Sequence, residues 1–448
     1  MSKRKIILLI IILVIITTIT FVFLYFLKPI SNTTIVTSGT NFLSEFFPFG
    51  KSNTAPSGGE VSPVDISGYI PPTNTQNQKE LLTKVSTMPI AGYGVFMKER
   101  FKEENEVLPA EIPTPDLPLK KGEVKNLIAP TTEFIPNLRY VERATGNIYQ
   151  TYADSINEQK FTTTIIPQVY DAYFGEKGES VVMRFLKPNG KTIQTFAGTL
   201  PKEILGGDTS SELSEISGSF LPENITDISV SPTGSSIFYV FNIENSAIGV
   251  TATPYGDQKN QIFNSPFTEW LSQWPNERMI TLNTKPSFGT PGFVYYLDPS
   301  IKKLNKILGD INGLTTLTSP SGKLILYNNN SLSLRVYNTD TEESLSVGVR
   351  TMPEKCVWDK TNTNLYCAVP KYISGTNYPD VWYQGEISFS DELWKINTEN
   401  GSTTKIADPT SFTIGEEIDG IKLSLDESEN YLFFVNKKDS YLWELNLK

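Results

Sequence analysis

Cys356 and Cys367 bracket the stretch CVWDKTNTNLYC and are the only two cysteines in a chain of 448 residues that contains no histidine. Without imidazole, neither a Ser-His-Asp nor a Cys-His nucleophile can be assembled, and two thiols alone do not complete the four-ligand shell of a structural zinc site. Carboxylates remain, and 49 Asp and Glu residues would permit the two-carboxylate chemistry of glycoside cleavage. Their spacing shows no paired-carboxylate signature, however, and no S-x-D-x-G-x-T-W box is present. No catalytic residue, cofactor or metal site is therefore assigned from sequence. A carbohydrate-active or other histidine-independent enzyme stands as the alternative to a binding protein. The cysteines read either as a structural disulfide or as two buried thiols, and the choice turns on compartment and on strand register.

Recognition chemistry is concentrated in KYISGTNYPDVWYQGEISFS, Lys371–Ser390, which carries Tyr372, Tyr378, Trp382, Tyr383 and Phe389. Loops longer than about 12 to 15 residues are uncommon in compact domains and are often functional. The candidate partner-binding set is Tyr372, Tyr378, Asp380, Trp382 and Tyr383. Trp382 and Tyr383 are its expected anchors, because rings with polar tips dominate interface energetics. The competing reading folds the same rings down as core over the underlying strands.

What must position these residues is a set of repeated strands. Hairpin-like units recur at residues 131–143, 169–186, 228–242, 270–283, 314–329, 355–369 and 421–436, and the second halves of the repeats, as in SLRVYNTDTEESLSVG, are equally regular. Aligned turn positions at Ser231, Trp274, Ser319 and Asp359 lie about 40 to 45 residues apart, the period of a four-stranded propeller blade. The fold class that follows is all-β, a seven-bladed β-propeller of four-stranded antiparallel blades over residues 81–448. The last unit shows only three strands, and Ala91–Glu99 has no unit of its own. That segment is expected to supply the missing outer strand and close the ring. Residues 371–390 fall between the second and third strands of blade 6. Segments 101–125, 201–215 and 285–292 are expected to emerge on the same face. Within blade 6, a four-residue turn at Lys360–Thr363 would set Cys356 directly opposite Cys367, within reach of a disulfide.

The amino-terminal region sets the expected compartment. Ile6–Leu27 is 22 residues without a charge, and at about 1.5 Å per helical residue it spans a hydrocarbon core of about 30 Å. A cleaved secretory signal is the rival, but its apolar region is shorter and ends in small residues, whereas Tyr25-Phe26-Leu27-Lys28-Pro29 follows here. Lys3, Arg4 and Lys5 precede the span, so residues 1–5 are expected to be cytoplasmic and everything beyond Lys28 outside the cell membrane. Residues 28–80 read as a flexible linker, interrupted by the aromatic Asn41–Gly50. The bilayer is thus an expected partner through residues 6–27. Nucleic acid is not, because the formal charge of -10 is spread without a basic block.

Ser231-Pro232-Thr233-Gly234 and Ser319-Pro320-Ser321-Gly322 resemble the S-P-x-G turn of WD40-like and TolB-like β-propellers, with Thr or Ser in place of the usual Asp. The stretches RYVERATGNIYQTYAD (139–154) and YPDVWYQGEISFSDELWKI (378–396) are similar to uncharacterised single-span propeller proteins of small-genome bacteria. These resemblances imply architecture and bring no activity. The expected role is binding or scaffolding in the cell envelope, toward a protein, a peptide or a wall glycan.

Overall fold

The computed structural model describes residues 81–102, 131–203, 205, 215–412 and 415–448. Residues 6–27 and 28–80 lie outside them. Among the described residues, no helix is long and apolar enough to cross a membrane. The described chain forms seven four-stranded antiparallel sheets. In blades 2 to 6 the four strands follow one another in sequence, from Val169–Gly175 in blade 2 to Thr403–Ala407 in blade 6.

Blade 7 is closed as expected by a segment from the far end of the domain, but a different one. Leu82–Lys84 pairs with Leu442–Asn446 in the register Leu82↔Leu445, Thr83↔Glu444, Lys84↔Trp443. Ala91–Glu99 instead belongs to Ile90–Phe101, the first strand of blade 1, which pairs with Thr132–Glu142 along its whole length. Residues 131–143 are therefore one strand and no hairpin. Sequence adjacency misled here, because the partner of Ile90–Phe101 lies some thirty positions downstream. Gly92 allows this strand to lie against blade 2, since a Cβ there would sit 2.0 Å from the Ala172 carbonyl oxygen.

The turn between first and second strands is wired alike in four blades. Ser231, Ser319, Asp359 and Asp426 each accept a backbone N–H with their side chain, for example Leu324 N to Ser319 Oγ at 3.1 Å and Thr363 N to Asp359 Oδ1 at 2.9 Å. Three positions on, the chain turns through positive φ at Gly234 (75°), Gly322 (75°), Asn362 (63°) and Glu429 (56°). Glycine meets this need without strain, whereas Glu429 adopts a backbone region disfavoured for side chains. Between blades the cores are continuous: Leu82, Leu432, Trp443 and Leu445 of blade 7 pack with Ala368, Leu393 and Ala407 of blade 6.

In blade 6, Cys356–Trp358 pairs with Asn364–Pro370 in the register Cys356↔Cys367, Val357↔Tyr366, Trp358↔Leu365. The two sulfurs form a disulfide across a Cα–Cα distance of 4.1 Å. It ties the shortest inner strand of the described blades, three residues, to its neighbour. Replacing both cysteines by serine is expected to lower the unfolding free energy by about 2 to 3 kcal/mol for so short a loop, as measured by urea titration. Equal midpoints for the two proteins would leave the bridge without a stabilising role.

Candidate functional site

In each blade, the first strand starts at the face from which second-to-third and fourth-to-first connections leave. Residues 371–390 join the second strand of blade 6, Asn364–Pro370, to the third, Asp391–Asn397, and so lie on that face. Residues 285–290 join the equivalent strands of blade 4 and share it. Segments 101–125 and 201–215 do not. The first runs between first and second strands of blade 1, the second between third and fourth strands of blade 2, so both leave from the opposite face. Most of their residues lie outside those described. The irregular connections are divided between the two faces, and only the strand order reveals it.

The 371–390 insertion is pinned at its base by Lys371 N donating to Ser390 O at 2.9 Å, and it contains one helical turn, Asp380–Tyr383. Tyr378, Trp382 and Phe389 are 2%, 4% and 3% exposed and pack on Leu332 and Met352 of the preceding blade and on Ile421 of the following one. Asp380 reaches blade 4, where its Oδ2 accepts from Ser287 Oγ at 3.0 Å and Phe288 N at 3.1 Å. Lys437 of blade 7 donates to Trp382 O at 2.7 Å and lies 4.4 Å from the Trp382 ring. The insertion thus spans blades 4 to 7. Two of the five residues selected from sequence present their rings outward, Tyr372 at 83% exposure and Tyr383 at 40%. The Tyr383 hydroxyl turns back and donates to Glu354. Tyr378 and Trp382 are the core of the cap, and Asp380 is one of its ties.

Beneath the cap lies a charged cluster that sequence did not single out. Lys355, just before Cys356, donates from Nζ to Asp391 Oδ2 at 2.7 Å, to Asp419 and to Gly420 O at 3.1 Å, and all three charged side chains have no exposure. Asp419 also accepts from Trp382 Nε1 at 3.0 Å, Ser388 Oγ at 2.9 Å and Phe389 N at 3.1 Å. Burial pushes the Asp391 carboxyl up to about 6, against the pull of Lys355. Burial also acts on Asp419, but the Lys355 ammonium and the donors around it outweigh burial and hold that carboxyl below its ordinary range. No periodicity marks these residues, because a lysine and two aspartates at strand starts look like solvated turn residues.

A second polar network lines the same end of the channel. Lys422, on the first strand of blade 7, reaches Asp171 Oδ1 of blade 2 at 2.7 Å and Ala91 O of blade 1 at 2.9 Å. Asp171 Oδ2 further accepts from Tyr173 Oη at 2.7 Å and Arg184 Nη1 at 3.2 Å. Asp227 Oδ2 accepts from Ser272 N and Oγ, each at 2.6 Å, and burial still lifts its carboxyl to about 6. An acid raised in this way binds its proton more tightly when folded, so it subtracts from stability as pH rises from its ordinary 3.8 through about 6. Asp227→Asn, which never ionises, is therefore expected to gain on the wild type by roughly 2 kcal/mol between pH 4 and pH 7. Urea titrations at the two pH values measure this gain, and a pH-independent difference would contradict it.

Beside the cap a cleft of about 510 Å³ opens among Pro89, Arg143, Gln168, Lys437, Asp439 and Ser440. Among the described residues no group of three His, Cys, Asp or Glu could hold a metal ion.

No protein-family model matches the chain, and no curated protein matches it. Among solved structures, a chain of the mitotic checkpoint complex is similar at 10% identity with a TM-score of 0.44, over 69% of this chain and 86% of that one. An oligogalacturonate lyase from Vibrio parahaemolyticus is similar at 9% identity with a TM-score of 0.44, over 70% of this chain and 86% of its own. Neither likeness speaks to activity.

Proposed function

We propose that this protein is a membrane-anchored, extracytoplasmic binding or scaffold module whose partner, an envelope protein, peptide or wall glycan, docks on the face capped by residues 371–390. The observation that carries the reading is the cap itself. An insertion is tied to its neighbouring blades by apolar packing and by buried and part-buried polar contacts, yet leaves Tyr372 and Tyr383 on its outer surface. Rigid aromatic rings on a preorganised support lose little conformational freedom on binding. The channel-mouth carboxylates, by contrast, are taken up by internal partners, Asp171 by Lys422, Tyr173 and Arg184, and Asp227 by Ser272. That favours a supporting role for them over the alternative of a histidine-independent enzyme. Anchoring rests on the uncharged stretch at residues 6–27 and the cluster Lys3, Arg4 and Lys5 before it.

A photo-crosslinking amino acid placed at position 372 in the full chain, in the cells that make it, tests the docking face. A discrete envelope species is expected from position 372 and not from position 233, which lies in a turn on the opposite face. Tyr372→Ala should weaken capture about tenfold, the loss of roughly 1.4 kcal/mol. Equal capture from both positions, or none from 372, would overturn the docking reading. Alkaline extraction of the membranes tests the anchor separately, with release of the intact chain as the contrary result.

A further inference from the structure

We propose that Lys355 and Asp391 become joined by an amide between Nζ and Cγ, formed within the folded blade without any external reagent, with Asp419 carrying the protons. The cluster has the composition of such a reaction: one primary amine and two carboxylates, with no exposure on any of the three side chains. Trp382 and Phe389 lie over Nζ with ring centres 5.5 and 5.3 Å away, which keeps water out. Groups held this way react with effective molarities of about 10⁵ to 10⁸ M, and a dry site removes the excess of water that otherwise drives amide hydrolysis.

The two carboxylates are not equivalent. Asp419 is fixed as an anion by Trp382 Nε1, Ser388 Oγ and Phe389 N besides Lys355. Asp391 uses Oδ2 for Lys355 and for Gly420 N, each at 2.7 Å, while its buried Oδ1 has no hydrogen-bond partner. A proton on Oδ1 therefore breaks no contact, and the upward displacement of the Asp391 carboxyl agrees with its being the one that becomes neutral and open to attack. Asp419 accepts a proton from the ammonium and hands it on to Asp391 Oδ1, the freed amine attacks Asp391 Cγ, and the second proton shed by the nitrogen follows the same route through Asp419. The Nζ–Cγ bond forms, the bond from Cγ to Oδ1 breaks, and Oδ1 leaves as water with the two protons shed by the nitrogen. Asp419 ends as the carboxylate it began as. One positive and one negative charge disappear from the interior, which relieves the desolvation that burial of the three ions imposes. Gly420 N remains on Oδ2, now an amide oxygen.

The linkage would close a loop around both the disulfide and the 371–390 insertion, since Lys355 and Asp391 are 36 positions apart. Mass spectrometry of the full-length protein, denatured and fully reduced, tests the idea. The wild type is expected to weigh one water less than its sequence, and digestion should yield a branched peptide joining Lys355 to Asp391. Lys355→Arg should restore the sequence mass. Asp419→Asn should raise the unlinked fraction soon after synthesis roughly tenfold or more, as loss of a proton-transfer group does. A wild-type chain at its full sequence mass would overturn the proposal, as would a branch mapped to Asp419.

Discussion

Compared with chains in which the Lys355–Asp391 amide has not formed, Lys355→Met is expected to cost the propeller about 3 to 5 kcal/mol, because it removes the one cation that, among the described residues, touches two fully buried carboxylates. Methionine approximates the volume of the lysine stem, so the loss is electrostatic and not a cavity effect. Asp419 keeps its contacts to Trp382, Ser388 and Phe389, whereas Asp391 retains only Gly420 N. Adding Asp391→Asn to Lys355→Met should therefore return part of the loss, since a neutral amide needs no counter-ion. Urea titration of the single and double variants measures both effects. Because Trp382 covers Nζ and bonds to Asp419, its fluorescence should also report loosening of the cap. A single variant within 1 kcal/mol of the wild type would show that the cluster contributes little, as exposed ion pairs do.

Removal of the chain up to residue 86 should have a comparable or larger effect, by opening the ring. Leu82 and Val85 are 1% and 2% exposed, and Leu82 packs with Trp443, Leu445 and Leu432. Further ties run from Val85 N to Leu442 O at 2.8 Å and from Leu442 N to Ser86 Oγ at 2.9 Å. Deleting one buried leucine side chain costs about 2 to 5 kcal/mol, and a whole domain is stable by only about 5 to 15 kcal/mol. The truncation is therefore expected to abolish or sharply lower the thermal transition, and Leu82→Ala in the full chain to shift it in the same direction by less. The same melting temperature with and without residues 1–86 would falsify closure by this strand.

The two predictions rest on features that were unequally visible in sequence. Closure of the ring could be anticipated from the repeat count, since the last unit is one strand short. The closing strand could not be chosen correctly, because Leu82–Lys84 is three residues long and too short for any periodicity to register. The longer Ala91–Glu99 attracted the assignment, although its own partner was hidden behind residues 103–131. The Lys355 cluster was invisible for a different reason. Its members come from three places, at positions 355, 391 and 419, that meet only when blades 6 and 7 close around the channel.

The aromatic insertion shows where composition stops being informative. Five rings in twenty residues exclude a purely solvated loop, yet they fit a core cap and a docking surface equally well. The fold divides them, with Tyr378, Trp382 and Phe389 inside and Tyr372 and Tyr383 on the surface.

From residue order alone came the all-β class, the seven blades, the register that sets Cys356 against Cys367, and the position of the insertion between second and third strands of blade 6. Each depends on local chemistry: alternating side chains, turn formers at a fixed period, and the two-residue periodicity of a strand. Only the tertiary structure decided which strand closes the ring, which irregular connections share a face, which rings point outward, and that one lysine is buried against two aspartates. Those outcomes depend on contacts between residues tens to hundreds of positions apart, and local periodicity carries no information about such distances.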